Sequence, residues 1–183
     1  MREKIKIEIR AQVHDKNGRL IKSYPWKRSN TLLRQFIQIL VVQLNQETLA
    51  VLNVSNASVN VTTNAVNLGI SAPAGTTTYG IKVGTGTADV AMTDVKLGTQ
   101  VTTNVAHGVC SATAEAVDST GWRAVITRSF TNNTGALLSI TEVGLYCIAL
   151  NAASYFCIDR TLYNVSVPSG SAVTLTYRIT VSL

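Results

Sequence analysis

The sequence predicts an antiparallel β-sandwich, jelly-roll-like, with an N-terminal β-hairpin and one amphipathic helix. Three observations predict it. Residues 82–183 read as a series of short β-compatible runs separated by Gly and Asn turns. No helical pattern intervenes between those runs, which favours antiparallel pairing over an α/β arrangement. Residues 4–13 alternate between charged or polar and apolar side chains, the period of a strand with one dry face. Composition agrees, with 46% hydrophobic but only 14% charged residues, against the roughly 25% charged of ordinary soluble domains. Thr, Ser and Asn, or other subunits, must therefore cover much of the surface.

The first strand is the clearest: Ile5, Ile7, Ile9, Ala11 and Val13 alternate with Lys4, Lys6, Glu8, Arg10 and Gln12. Asp15-Lys16-Asn17-Gly18 supplies a turn in which Asn and Gly accept positive φ, and Leu20 to Tyr24 returns as the second strand until Pro25. A helix is predicted over 31–46, capped by Ser29, Asn30 or Thr31, with Leu32, Leu33, Phe36, Ile37, Leu40, Val41 and Leu44 as its apolar stripe. Its Gln-rich opposite face suits contact with another protein; the alternative is a helix lying over a sheet of its own domain. Residues 1–47 thus form a basic hairpin-plus-helix element. Residues 48–81 carry no charge apart from their neighbours at the ends and read as short strands and loops of the β-body, with Val59, Val61 and Leu68 in a core.

The body, 82–183, begins within a run from Tyr79 to Val83 and continues with Val95–Thr103, Cys110–Val117, Trp122–Thr131, Leu138–Cys147, Tyr155–Leu162 and Ala172–Leu183. The last alternates most regularly and is expected to be a central strand. Thr131 to Gly135 and Pro168 to Ser171 have the composition of hairpin turns.

Charge is concentrated at one end. Residues 1–34 hold ten basic against three acidic side chains, a net +7 where the whole chain is +6, so the remainder is close to neutral. Lys4, Lys6, Arg10, Lys27 and Arg28 are the candidate residues for docking on an acidic partner. A nucleic-acid contact is the competing reading of the same charges, but Tyr24 and Trp26 alone make a poor base-stacking platform. In the body, Arg128, Glu142, Asp159 and Arg160 lie inside otherwise apolar strands and are candidates for structural ion pairs, such as Glu142 with Arg128 or Arg160.

No enzyme signature competes. Gly84-Thr85-Gly86-Thr87 lacks the following Lys-Ser/Thr of a phosphate loop and completes no GxGxxG. His14 and His107 have no ligand at metal spacing, His107-Gly108 is expected in a loop, and a Cys110/His107 pair has no orienting third group. Asp89 and Asp94 do not complete a calcium loop. No catalytic, metal or cofactor site is expected. Cys110, Cys147 and Cys157 are expected as buried free thiols, Cys147–Cys157 being the one conceivable bridge. The Asn-x-Ser/Thr matches follow from composition. The charged start is no secretory signal, and Leu32–Leu44 is too short and polar to cross a bilayer, which needs about 20 apolar residues. Synthesis in a cytoplasm without membrane insertion is expected.

Several stretches follow one another in a distinctive order: Lys82-Val-Gly-Thr-Gly-Thr, Asp94, Leu97-Gly-Thr-Gln-Val, Arg128-Ser-Phe-Thr-Asn-Asn-Thr-Gly, Ile140-Thr-Glu-Val-Gly-Leu-Tyr, Asp159-Arg160-Thr and Val167-Pro-Ser-Gly-Ser-Ala-Val-Thr-Leu-Thr-Tyr-Arg-Ile. As a set, with Lys27 to Leu40 similar as well, they resemble a family of uncharacterised structural proteins of tailed bacteriophages and related viruses. The resemblance implies a virion component, oligomeric with copies of itself, without catalysis or cofactor. Head decoration on the capsid is the first expectation and a tail or baseplate position the second. A carbohydrate-binding module, using Trp26, Trp122 or Tyr79, or a nucleic-acid-binding one is the remaining alternative. Gly144 is expected to leave room for a large neighbour such as Trp122.

Overall fold

The computed structural model describes residues 4–29, 31–64, 67–119, 121–149 and 153–182. The chain is mainly β: two antiparallel sheets share one apolar core, accompanied by an N-terminal hairpin and one helix. The strands are β1 (Lys4–His14), β2 (Leu20–Ser23), β3 (Lys27–Arg28), β4 (Thr31–Leu32), β5 (Leu49–Leu52), β6 (Ser58–Val61), β7 (Gly80–Gly84), β8 (Val105–Asp118), β9 (Gly121–Asn132), β10 (Leu138–Ala149), β11 (Ser154–Val167) and β12 (Ala172–Ser182), with helix α1 at Arg34–Asn45. The first sheet runs β2-β1-β12-β9-β8 with β3 on β1; the second runs β4-β11-β10-β7.

Alternation in β1 and β12 produces their pairing. Ile9 lies opposite Tyr177, Ala11 opposite Leu175 and Val13 opposite Val173, and all six are buried against the second sheet. The charged partners, Glu8 opposite Arg178 and Arg10 opposite Thr176, share the other face. β12 is central, between β1 and β9, as its two-faced pattern predicts. β1 joins it along its whole length, so the basic N-terminal strand is built into the sandwich. The Asp15 turn forms as expected: Oδ1 accepts from the N–H groups of Asn17 and Arg19, both at 2.9 Å, and Gly18 takes φ +80°.

Four local expectations are corrected. First, 131–135 and 168–171 are not hairpin turns: β9 and β12 belong to one sheet, β10 and β11 to the other, so both segments cross between sheets. Asn132 fastens the two crossings, its Nδ2 donating to the carbonyls of Ala136 and Val167 at 2.8 Å while its backbone N–H donates to Ser171 O at 2.9 Å. Second, 95–103 is no strand; it lies in the β7–β8 connection with a single bridge, Gly84 to Gln100, because its N–H groups turn to a carboxylate instead.

Third, α1 starts at Arg34 with Leu33 at its N-cap and no side-chain cap, since Ser29 is engaged by Asp159 and Thr31 lies in β4; Asn30 falls outside the described residues. The helix packs on β11 and β5 and buries Gln35, Ile39 and Val42. Ile37, Val41 and Leu44, assigned to the buried stripe by their spacing, are exposed. Fourth, His107 is inside β8, where a bulge follows it, and its ring packs edge-on to Phe130 at 5.1 Å.

In the connecting region β5 and β6 form a two-stranded ribbon that buries Val51 and Val61, with Val59 and Leu68 partly buried. All three cysteines are buried and unpaired. No helix among the described residues is long and apolar enough to cross a membrane.

Candidate functional site

Three constellations of side chains are candidates, and the first is internal. Glu142, fully buried on the outer side of β10, accepts from the N–H groups of Gly86 (2.9 Å), Gly98 (3.1 Å) and Thr99 (2.9 Å) and from Arg160 Nε (2.9 Å). Arg160 also donates from Nη1 to Asp94 Oδ2 (2.7 Å) and the carbonyl of Asp89 (3.3 Å), and from Nη2 to that of Ala88 (2.9 Å). Burial pulls the Arg160 guanidinium down, and Asp94 and Glu142 more than offset this, so it is held above its ordinary value. Gly84 and Gly86 are a steric necessity: a Cβ on Gly84 would stand 2.6 Å from both Glu142 Oε1 and the Thr99 carbonyl, and one on Gly86 would run into the Glu142 carboxylate. The whole arrangement clasps residues 85–99 onto the second sheet. The buried Glu142 and Arg160 are matched at close range by each other, by Asp94 and by backbone groups.

Asp159 and Arg128, offered by the sequence as ion-pair partners, make no ion pair among the described residues. Their environments show why. Asp159 points into the core, where Ser29 and Tyr177 hydroxyls donate to it, the latter at 3.1 Å, with Thr161 Oγ1 at 3.4 Å. Burial raises its carboxyl to about 6, and the hydroxyl bonds pull against that rise. Arg128 lies 1% exposed between β9 and β7 and is met by carbonyl dipoles: Nε on Gly108 O (3.0 Å), Nη1 on Tyr79 O and Ile81 O (3.0 Å each) and Nη2 on Thr76 O. It pins the edge of one sheet to the other.

Next to these, Lys82 is buried with its Nζ 3.9 Å from the centroid of Tyr146, and burial lowers its ammonium to about 8. Tyr146 Oη accepts from Leu97 N at 2.6 Å, and Cys157 packs beside it. Burial pushes the Cys147 thiol up to about 12 and raises that of Cys157 as well, so neither is a ready nucleophile. Among the described residues no three His, Cys, Asp or Glu side chains gather as metal ligands. Gly144 faces Tyr146 and Leu97, at 2.8 and 3.0 Å from an added Cβ, and not Trp122 as the sequence suggested.

The remaining constellations are on the surface. One is a cleft of about 610 Å³ whose apolar walls include Ile5, Ile7, Leu32, Ile37 and Met92. Ile5 is 65% exposed, Met92 58% and Ile37 51%, which leaves a core-like surface uncovered. The other is the outer face of the first sheet. There Lys6 pairs with Glu8 at 2.7 Å and Arg123 with Glu115, while Arg10 and Arg178 share Trp26, their guanidinium carbons 4.7 and 4.0 Å from its ring centroid. Of the docking candidates, Arg10 belongs to this cluster and Arg28 lies exposed opposite Glu8. Lys27 reaches the other way, donating to Leu162 O at 2.6 Å. The Lys4 side chain lies outside the described residues. Of the aromatics offered for sugar stacking, Tyr79 stacks on Tyr155 at 5.9 Å and Trp26 is held by arginines; Trp122 is exposed.

Comparison with family models, with curated proteins and with solved structures finds no match to this chain. The internal geometry therefore has to be judged on its own chemistry. Sequence reasoning missed Arg178 and Arg123 as companions of Arg10, because they lie far along the chain and only the β1-β12-β9 pairing brings them together. Their outward positions in alternating strands were the available signal.

Proposed function

We propose that this chain is a non-enzymatic structural subunit of a tailed-virus particle, assembling with copies of itself and docking on the virion, with head decoration as the position favoured. The observation that carries this reading is the fate of the residues in the resembling stretches. Gly86, Asp94, Gly98, Glu142 and Arg160, one from each of five of those stretches, converge in one clasp. Asn132 and the segment around Ser171, from two others, converge in the connection between sheets. These residues serve shape and rigidity, as a subunit that must hold a defined surface requires. The uncovered apolar cleft around Ile5, Ile37 and Met92 supports self-association, since burying such a surface favours assembly.

Light scattering on a gel-filtration column, followed by co-sedimentation with undecorated heads, tests the reading. A discrete homo-oligomer that reverts to monomer on Ile37→Glu, and that sediments with heads, is the expected result. A monomer that binds neither heads nor tails overturns it; sedimentation with tails alone moves the position to the tail.

A further inference from the structure

We infer that the outer face of the β1-β12-β9 sheet carries an anion-binding site in which Arg10 and Arg178, held together on Trp26, receive the carboxylates of an acidic protein surface. This deepens the docking reading above and rests on it, but it relocates the contact. Of the five candidate docking residues, Arg10 alone enters the site, and its companion Arg178 comes from the far end of the chain.

The electrostatics of the face are unbalanced. Glu8 lies across from Arg178 in the register, yet its carboxylate is bound by Lys6 at 2.7 Å, and Glu115 is bound by Arg123. The Arg178 side chain makes no hydrogen bond among the described residues, and the buried Nε atoms of both Arg10 and Arg178 lack a partner. Arg10 has a single contact of this kind, Nη2 to Gln12 Oε1 at 3.3 Å. Burial first, then the nearby Arg123 and Arg10, hold the Arg178 guanidinium below its ordinary value, with Glu115 and Glu8 opposing. Two guanidiniums brought side by side on one indole, and left with donors unused, are stabilised by an incoming oxyanion. A guanidinium fork matches a carboxylate in geometry as well as charge.

The same geometry disfavours nucleic acid. Two guanidiniums already lie against the Trp26 ring and compete with a base for it, and Glu8 and Glu115 interrupt the path of a continuous phosphate backbone. Discrete carboxylates on a rigid partner can avoid both.

Poly-L-glutamate is the probe, titrated at low salt into a Trp122→Phe background in which Trp26 is the sole tryptophan and reports binding by fluorescence. The expected result is saturable binding that the double substitution Arg10→Gln/Arg178→Gln weakens about tenfold or more, the scale of losing charge-assisted bonds. Lys16→Gln/Arg19→Gln removes the same charge from the hairpin tip and is expected to change affinity by less than about twofold. Equal losses in the two double variants, no binding at all, or tighter binding of a single-stranded DNA oligonucleotide overturns the proposal. If the first double variant does not fold, Arg178→Lys keeps the charge but loses the fork. A several-fold loss with it supports the site; unchanged affinity refutes it. Because no virion component enters this assay, failure here leaves the oligomer and head-binding results standing, and their failure leaves this one standing.

Discussion

The outer faces of the two sheets treat charge in opposite ways. On the β4-β11-β10-β7 sheet, Glu142 and Arg160 lie beneath residues 85–99 with 0% and 3% side-chain exposure, and their polar atoms are matched to backbone groups, to Asp94 and to each other. On the β2-β1-β12-β9-β8 sheet, Arg10 and Arg178 sit half-buried beside an aromatic ring with donors unspent. Saturated charge of the first kind stabilises its own chain's geometry; unsaturated charge of the second kind is available to another molecule. The difference separates residues that build the subunit from residues that serve its contacts, although both sets are arginines and glutamates in β-strands.

The sharpest way to break this contrast is Glu142→Gln. The amide keeps the shape but offers one acceptor where four donors converge, and it strands the Arg160 charge with only Asp94. Removing one member of a buried pair costs about 3–5 kcal/mol. Equilibrium urea unfolding should show that loss, and limited proteolysis should show new cleavage within 85–99. A change below about 1 kcal/mol would mean that the clasp is not what holds the connection down.

Asp159 tests whether burial alone, without an ion pair, marks a structural charge. Its carboxyl is raised from 3.8 to about 6 in the folded chain, so between those values the folded state binds the proton that the unfolded state has released. Stability from this group is therefore full below about pH 4 and falls as pH rises to about 6, by on the order of 3 kcal/mol at most. Asp159→Asn should remove that slope. Unfolding measured from pH 4 to pH 8 on both proteins gives the difference directly, and parallel curves would show that the carboxyl titrates alike in the folded and unfolded states.

Much of the sandwich is legible in the sequence because alternation is a local signal. The period-two runs of 4–13 and 172–182 fix a dry face, and two dry faces of equal length are naturally laid side by side. What local patterns do not carry is which sheet a strand joins. Asn132 and Pro168 look like hairpin punctuation, but a sheet-to-sheet crossing uses the same turn residues. The helix face was illegible for another reason: apolar residues at 36, 37, 39, 40, 41, 42 and 44 nearly encircle it, so periodicity cannot choose between the side bearing Ile39 and the side bearing Ile37. At the clasp, Glu142 and Arg160 stood out as charges inside apolar strands, while Gly86, Gly98 and Asp94 became intelligible only when the chain placed them around that carboxylate.

The smallest expected effect comes from the outer face, and it completes the contrast. Arg123 and Glu115 pair across β9 and β8 with side chains 25% and 45% exposed. Each retains access to water, so little solvation is lost in the folded state and little is regained by separating them. Exposed pairs of this kind contribute about 0–1 kcal/mol, and Arg123→Gln should shift the urea midpoint barely, with the remaining effect shrinking further in added salt. The same substitution also withdraws one positive neighbour from Arg178 and releases Glu115. Affinity for poly-L-glutamate should therefore fall several-fold in a variant whose stability is nearly unchanged. A stability loss as large as that of Glu142→Gln would erase the distinction between the two faces, because an arginine open to water would then be holding the fold together.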